Sequence, residues 1–435
     1  MLRGIFSIAL LGLVSLPVAA QTVPLATAAA RTAQRREQED LTRPDFYDLA
    51  RYPLTEQNER QWRKVLWATA VVEPQADYVD RTIAELLDLT PRRLNSVQKR
   101  IVELALQVGT QLYLSNPDQH PQITRQLIRT VETSNEPKWV GMALSALLKQ
   151  GATPRQKIGW RDRVIRRFPN WRNDPHLLLT LHDMSSKPQP PLKDLLNWTI
   201  APGEMQLYVL CPPGRTAVCQ TLLKDRSGQF VQEQGRLWSV PLLARSLHGL
   251  PAVFSHGQSP QGLYRIEGTV PQPDTEFFRA YGLFPLVELF VPLEPGVKAF
   301  LPNQKGTLRG GLPGYQALLP PSWRNYLPIQ ESFWAGRAGR TLFRIHGTGE
   351  ATNFFTNTAR FPNTVGWNPA IGCLSALEQY DAAGRLIQAD MPRVLASLAS
   401  VGGKDFTGYL IVVETPNPKS VTLSLKRLAA QRKQR

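Results

Sequence analysis

The chain reads as an α+β protein in two parts: an N-terminal all-α domain, either a HEAT-like stack or a bundle, followed by a mainly β domain. Three observations predict this. Apolar residues recur at three-to-four spacing through residues 58–185, the period of helices with one buried face. After the proline-rich stretch Lys187-Pro188-Gln189-Pro190-Pro191 they gather instead in short runs bounded by Gly and Pro, the texture of strands. At 435 residues the chain is long enough to build a core for each part.

The first twenty residues hold one charge, Arg3, an apolar run from Ile5 to Leu16, and then small residues ending at Ala20. This predicts a secretory signal over residues 1–20, with Gln21 opening the mature chain. The apolar run is shorter than a membrane span requires, and no later run reaches eighteen apolar residues, so no integral span is expected after cleavage. Residues 21–57, rich in Ala, Thr, Gln and Arg near their start, read as a flexible lead.

The helical pattern begins with Trp62, Val65, Leu66, Thr69 and Val72. It continues through Val79, Ile83, Leu86 and Leu87, and then Leu94, Val97, Ile101, Leu104, Val108 and Leu112. Further helices are predicted at 119–133, 136–150, 154–168 and 174–184. Pro137, Pro154 and Pro175 mark their starts, since proline fits the first helical turn, where its missing N–H has no partner to lose. Residues 186–198 read as a proline-rich linker.

From residue 199 to 415 the strands expected are 206–210, 217–223, 237–243, 252–255, 263–266, 287–291, 342–345 and 408–413. One helix is expected over 391–400, a second could begin just after Cys373, and 271–340 has the look of an insertion. Residues 416–435 form a basic tail with Lys426, Arg427, Arg432, Lys433 and Arg435.

The formal charge of +16 would suit nucleic acid in a cytosolic protein, but an exported chain meets anionic envelope polymers and lipid surfaces instead. Nucleic acid is therefore not an expected partner. Three cysteines are an odd number. Cys211 and Cys219 flank the turn-rich CPPGRTAVC and are the natural disulfide pair, although two buried thiols would also satisfy the sequence. Cys373 is left over.

That leftover thiol lies 27 positions after His346, and a glycine adjoins each residue: Gly347 follows the histidine and Gly372 precedes the cysteine. A neutral thiol attacks poorly until an imidazole takes its proton, so this is the pair that nucleophilic catalysis requires. Glycine lets backbone approach a substrate, and amides near Cys373 would face a developing oxyanion. The bland reading is a buried structural thiol and a satisfied strand-end histidine. His248 and His256 also precede Cys373 but lack the strand-His-Gly setting. No cluster with metal-ligand spacing is visible, and this chemistry requires neither metal nor organic cofactor.

These residues resemble the catalytic domain of the L,D-transpeptidases, β-rich cysteine enzymes that remodel peptidoglycan. Ile345-His346-Gly347-Thr348 is similar to the family's IHGT strand end, and Gly372-Cys373-Leu374 to its nucleophile loop. Ser259-Pro260-Gln261-Gly262-Leu263-Tyr264-Arg265-Ile266 is similar to its upstream strand, and the likeness spans roughly residues 200–415. Ala370, Ile371 and Ser375 stand where the family usually carries other residues.

The resemblance implies Cys373 as nucleophile, His346 as base, and Gly372 and Gly347 around the oxyanion loop. Thr348, Ser375, Trp367 and Asn368 would contact substrate, although Ser375 by itself reads first as a helix N-cap. The implied substrate is a peptidoglycan stem peptide, crosslinked through a Cys thioester, with carboxypeptidase activity when water is the acceptor. It also implies acylation by carbapenems and a place in the periplasm or cell envelope. The alternative is a non-catalytic or weakly active envelope module that binds peptidoglycan while the helical part recruits a protein partner. Sortase-like chemistry is less apt, since it wants a Thr-Cys pair and a downstream arginine, and Leu374 and Ser375 give no such context.

Overall fold

The computed structural model describes residues 23–150, 152–184, 188–271, 282–348, 364, 366–416 and 418. The signal at 1–20 and almost all of the basic tail at 416–435 lie outside them. Nine α-helices precede the first strand among the described residues: α1 (Ala28–Leu41), α2 (Glu56–Val72), α3 (Asp77–Leu87), α4 (Ser96–Ser115), α5 (Pro121–Thr133), α6 (Pro137–Lys149), α7 (Pro154–Arg167), α8 (Pro175–His182) and α9 (Leu192–Asn197).

Helices α2 to α8 fall where the apolar period places them. Proline opens α5, α6, α7 and α8, and reciprocal side-chain caps at Asn95–Gln98 and Thr153–Gln156 fix the starts of α4 and α7. Each helix packs on the one two places along: α2, α4, α6 and α8 make one row and α3, α5 and α7 a second. This is a two-layer stack of helix pairs rather than a bundle around one axis.

Two segments differ from the sequence reading. The flexible lead contains α1, capped by Thr27, and it is anchored where Val23 N–H donates to the Gly384 carbonyl at 2.9 Å and Ala28 N–H to Ala382 at 3.0 Å. Its Ala, Gln, Glu and Arg are strong helix formers, but none is fully buried, so no apolar period announces the helix. The linker likewise folds into α9. Leu195 and Leu196 are buried, and the Trp323 indole donates to the Pro191 carbonyl at 3.1 Å.

The second part is built on β1 (Met205–Cys211), β2 (Cys219–Lys224), β3 (Gln232–Glu233), β4 (Arg236–Leu237), β5 (Pro241–Leu243), β6 (Gly262–Val270) and β7 (Leu286–Phe290). After α10 (Gly311–Ala317) and α11 (Glu331–Arg337) come β8 (Phe343–Gly347), β9 (Leu374–Ala376), β10 (Glu378–Tyr380) and β11 (Leu386–Ala389). The described fold closes with α12 (Met391–Gly402) and β12 (Thr407–Glu414). Eight strands form a closed barrel in the order β1-β12-β6-β7-β8-β9-β5-β2. Closure leaves no open sheet edge. Cys211 and Cys219 form a disulfide across the β1–β2 turn.

Alternation along the strands sorts the core into two. Leu207, Val209, Ile266, Leu289, Ile345, Leu374 and Leu410 share the barrel interior with Met391, Val394 and Leu398 of α12. Their neighbours Tyr208, Leu210, Leu263, Tyr409 and Ile411 point the other way and join the core of the helical part. The two parts therefore share one continuous outer core.

Three further expectations are corrected. Residues 252–255 form turns, not a strand. Within 271–340, β7 is a wall of the barrel paired to both β6 and β8, so that range is not an insertion throughout. The chain after Cys373 enters β9 rather than a helix, so Ser375 is a strand residue and caps nothing.

Candidate active site

His346 and Cys373 come together through a parallel strand pair. β8 and β9 run side by side with Ile345 opposite Leu374 and His346 opposite Ser375. Ile345 and Leu374 point into the barrel, so His346 and Ser375 point outward, and Cys373, two positions before Ser375, shares their face. Cys373, one residue before β9, and His346 on β8 are thus diagonal neighbours across this strand pair. Both line a cavity of about 400 Å³ between the barrel wall and the helical stack.

The imidazole is held in one tautomer. His346 Nδ1 lies 2.7 Å from the Gly347 carbonyl oxygen, which can only accept, so Nδ1 carries the hydrogen and Nε2 is the acceptor nitrogen. Burial pushes its pKa below the ordinary imidazole value, which keeps the ring neutral and basic.

Cys373 is 9 % exposed and its Sγ lies 3.7 Å from the Leu342 carbonyl oxygen. Burial raises its pKa, opposed by the Arg344 backbone N–H and by the charges of Arg344 and Arg340. At neutral pH the pair is thus a neutral thiol beside a neutral base.

The loop before Cys373 is tied by Ser259 and lies against a turn that Arg340 holds. Ser259 Oγ donates to the Gly372 carbonyl at 2.8 Å and lies 3.4 Å from that of Cys373. Arg340, whose guanidinium is buried against the Phe343 ring, donates to the carbonyls of Gly257 and Gln258, each at 2.9 Å, and to that of Ala252. Gly372 has φ +133°, and a Cβ there would fall 2.3 Å from a terminal nitrogen of Arg340, so glycine is required twice over.

Gly347 is needed for a different reason: a Cβ there would lie 1.7 Å from Glu378 Oε2. Glu378 is buried beneath the strand, where it accepts from the Leu283 N–H at 2.6 Å and from the Tyr380 hydroxyl, and burial lifts its pKa to about 6.

The substrate-contact residues divide. Asn368 and Ser375 line the cavity, and Asn368 Nδ2 and Ser375 Oγ are buried without a hydrogen-bond partner among the described residues. Such atoms are available to a ligand or to water. Thr348 also lines the cavity, but its hydroxyl is engaged with the Glu378 backbone at 3.3 and 3.4 Å. Trp367 is not among the lining residues; its backbone N–H donates to the Thr364 carbonyl at 3.0 Å, and its indole nitrogen is buried without a hydrogen-bond partner among the described residues.

Three contributors escaped the sequence reading, Arg340, the Ser259 hydroxyl and Trp67 of α2, and His256, set aside there as a base, joins them as a lining residue. The last two line the cavity from the helical side and the segment before β6. Ser259 opens the motif noted above, which was its available signal; nothing in the local sequence marks the others.

Among the described residues no group of His, Cys, Asp and Glu is arranged to hold a metal, and no helix is long and apolar enough to cross a membrane. No family model, curated protein or solved structure matches the chain.

Proposed function

We propose that this chain is an exported cysteine acyltransferase of the L,D-transpeptidase type, acting on peptidoglycan stem peptides in the cell envelope. The observation that carries the reading is the placement of Cys373 and His346 on one outward face of adjacent parallel strands, in a shared cavity, with the imidazole in its Nε2-acceptor form.

In this mechanism Nε2 takes the thiol proton as Sγ attacks the carbonyl carbon after the third stem residue. Amides at Gly372 and Cys373 would donate to the oxyanion, worth about 3 kcal/mol each in comparable sites. The C–N bond breaks, the departing D-residue amine receives the proton from His346, and a thioester remains on Cys373. An amine of a neighbouring stem then attacks that thioester, Sγ leaves and recovers a proton, and a 3–3 crosslink results. Water in place of the amine makes the reaction a carboxypeptidation. Asn368 and Ser375 offer buried polar atoms with which to hold the substrate backbone.

The test is the intact mass of the mature protein after incubation with a carbapenem, beside a Cys373→Ala control. One adduct on the native protein and none on the control is expected. No adduct, together with a thiol inert to alkylation in the folded state, would overturn the acyltransferase reading and leave a peptidoglycan-binding or partner-recruiting module.

A further inference from the structure

We infer that helix α2 is a working wall of this cleft: Arg60, Arg63 and Lys64 form a subsite for the carboxylates of an acidic peptide whose reactive end lies over Cys373. A second cavity, of about 550 Å³, adjoins the first and shares Trp67, His256 and Ile371 with it. Arg60, Arg63 and Lys64 line this second cavity. Their spacing from Trp67 puts all four on one face of α2, leading from solvent to the mouth of the catalytic cavity.

The positive charge on this face is only partly offset by its own carboxylates. Glu59, which also lines the cavity, is taken by Arg100 through two hydrogen bonds of 2.7 and 2.6 Å. Glu56 lines the cavity as well and adds to the field at that same Arg100. Among the described residues Arg60, Arg63 and Lys64 form no salt bridge, and Arg63 acts on Glu59 only through its charge. Arg63 is close enough to help keep His256, which lines both cavities, in its neutral form.

Length fits as well. Arg60 to Trp67 covers about 10 Å of helix axis at 1.5 Å per residue, and an extended peptide covers that in about three residues. A donor with its scissile carbonyl at Cys373 would therefore lay the residues preceding it along this face, where side carboxylates meet guanidinium and ammonium groups. The assignment rests on the function proposed above and adds the anionic character of the substrate and the role of the helical part.

The experiment measures binding of a labelled tetrapeptide with free side carboxylates to the full chain carrying Cys373→Ala, by fluorescence anisotropy. It is repeated with Arg60→Ala, Arg63→Ala and Lys64→Ala combined, with Arg60→Lys and Arg63→Lys combined, and with an amidated peptide. The triple variant is expected to bind about tenfold more weakly, the Lys variant nearly normally, and the amidated peptide about equally to both. Added salt should narrow the difference between the native and altered helix. Equal affinity of the native and triple-variant helix for the acidic peptide, in proteins with matching circular dichroism, would overturn the assignment. So would no binding by the native helix. In either case carbapenem acylation of Cys373 in the native protein would leave the acyltransferase reading standing.

Discussion

The Ser259 hydroxyl is tied to the Gly372 carbonyl at 2.8 Å, across 113 residues of chain. It joins the segment entering β6 to the loop that presents Cys373, so the barrel wall sets the height of the thiol. Ser259→Ala leaves a buried carbonyl short of a donor and should cost about 1–2 kcal/mol of stability. Urea denaturation reads that cost. Carbapenem acylation should slow while far-UV circular dichroism stays unchanged.

His346→Gln should lower the acylation rate by about 10²–10⁴-fold, because burial holds the Cys373 thiol above its ordinary pKa and the imidazole must remove the proton. In the native protein burial lowers the His346 pKa, so the ring stays unprotonated to lower pH. The acid limb of the pH–rate profile should accordingly lie below the usual imidazole value of about 6.5. A limb at or above that value would contradict the buried neutral imidazole.

Gly347→Ala sets a methyl group against Glu378, and a clash of this kind costs about 1–3 kcal/mol or more. Glu378→Ala should be destabilising alone but should recover part of the loss when combined with Gly347→Ala. A double-mutant cycle in denaturant measures the coupling, and strict additivity would show that the two do not touch.

The junction between helices and barrel should weaken in acid. His248 Nδ1 meets Gln111 Oε1 at 2.9 Å and His256 Nδ1 meets Gln107 Oε1 at 2.8 Å, so each ring bridges to α4. Burial, then the neighbouring His256, pushes His248 down to about 3; burial, then Arg340, Lys138 and Arg63, pushes His256 down to about 4. In the unfolded chain both rings bind protons near pH 6.5. The unfolded state thus holds more protons between these values, and stability, fully present above about 6.5, falls as pH drops toward 4. Urea midpoints at about pH 7 and about pH 5 should differ, and His248→Gln should flatten the slope.

Reducing the Cys211–Cys219 disulfide, which closes a loop with a sequence separation of 8, should cost about 2.5 kcal/mol on loop-entropy grounds. The double Cys→Ser variant should show this by denaturation and still take up a carbapenem at Cys373. Loss of acylation in a folded double variant would mean that the bridge shapes the cavity.

Much of this protein is legible in its sequence because the forces involved are local. Apolar period and N1 prolines marked α2 to α8, since a helix must bury one stripe and proline fits only its first turn. Strand runs between Gly and Pro marked most of the barrel, and the glycine flanks singled out His346 and Cys373, which line one cavity. The helix α1 was hidden because it buries no full residue, and β9 was hidden because three residues, Leu374 to Ala376, carry too little pattern to tell a strand from a helix start.

Only the tertiary structure decided the rest. Closure of the barrel brought β8 beside β9 in parallel, and its register set the imidazole diagonal to the thiol. Packing of the helical stack on the outer barrel core brought Trp67 and its neighbouring cations to the cleft. Arg340 lies 33 positions before Cys373 in sequence, yet its side chain holds the turn that the Cys loop rests on. Such contacts join distant residues through geometry that no local periodicity encodes, because they depend on which faces are left exposed after each element has buried its own.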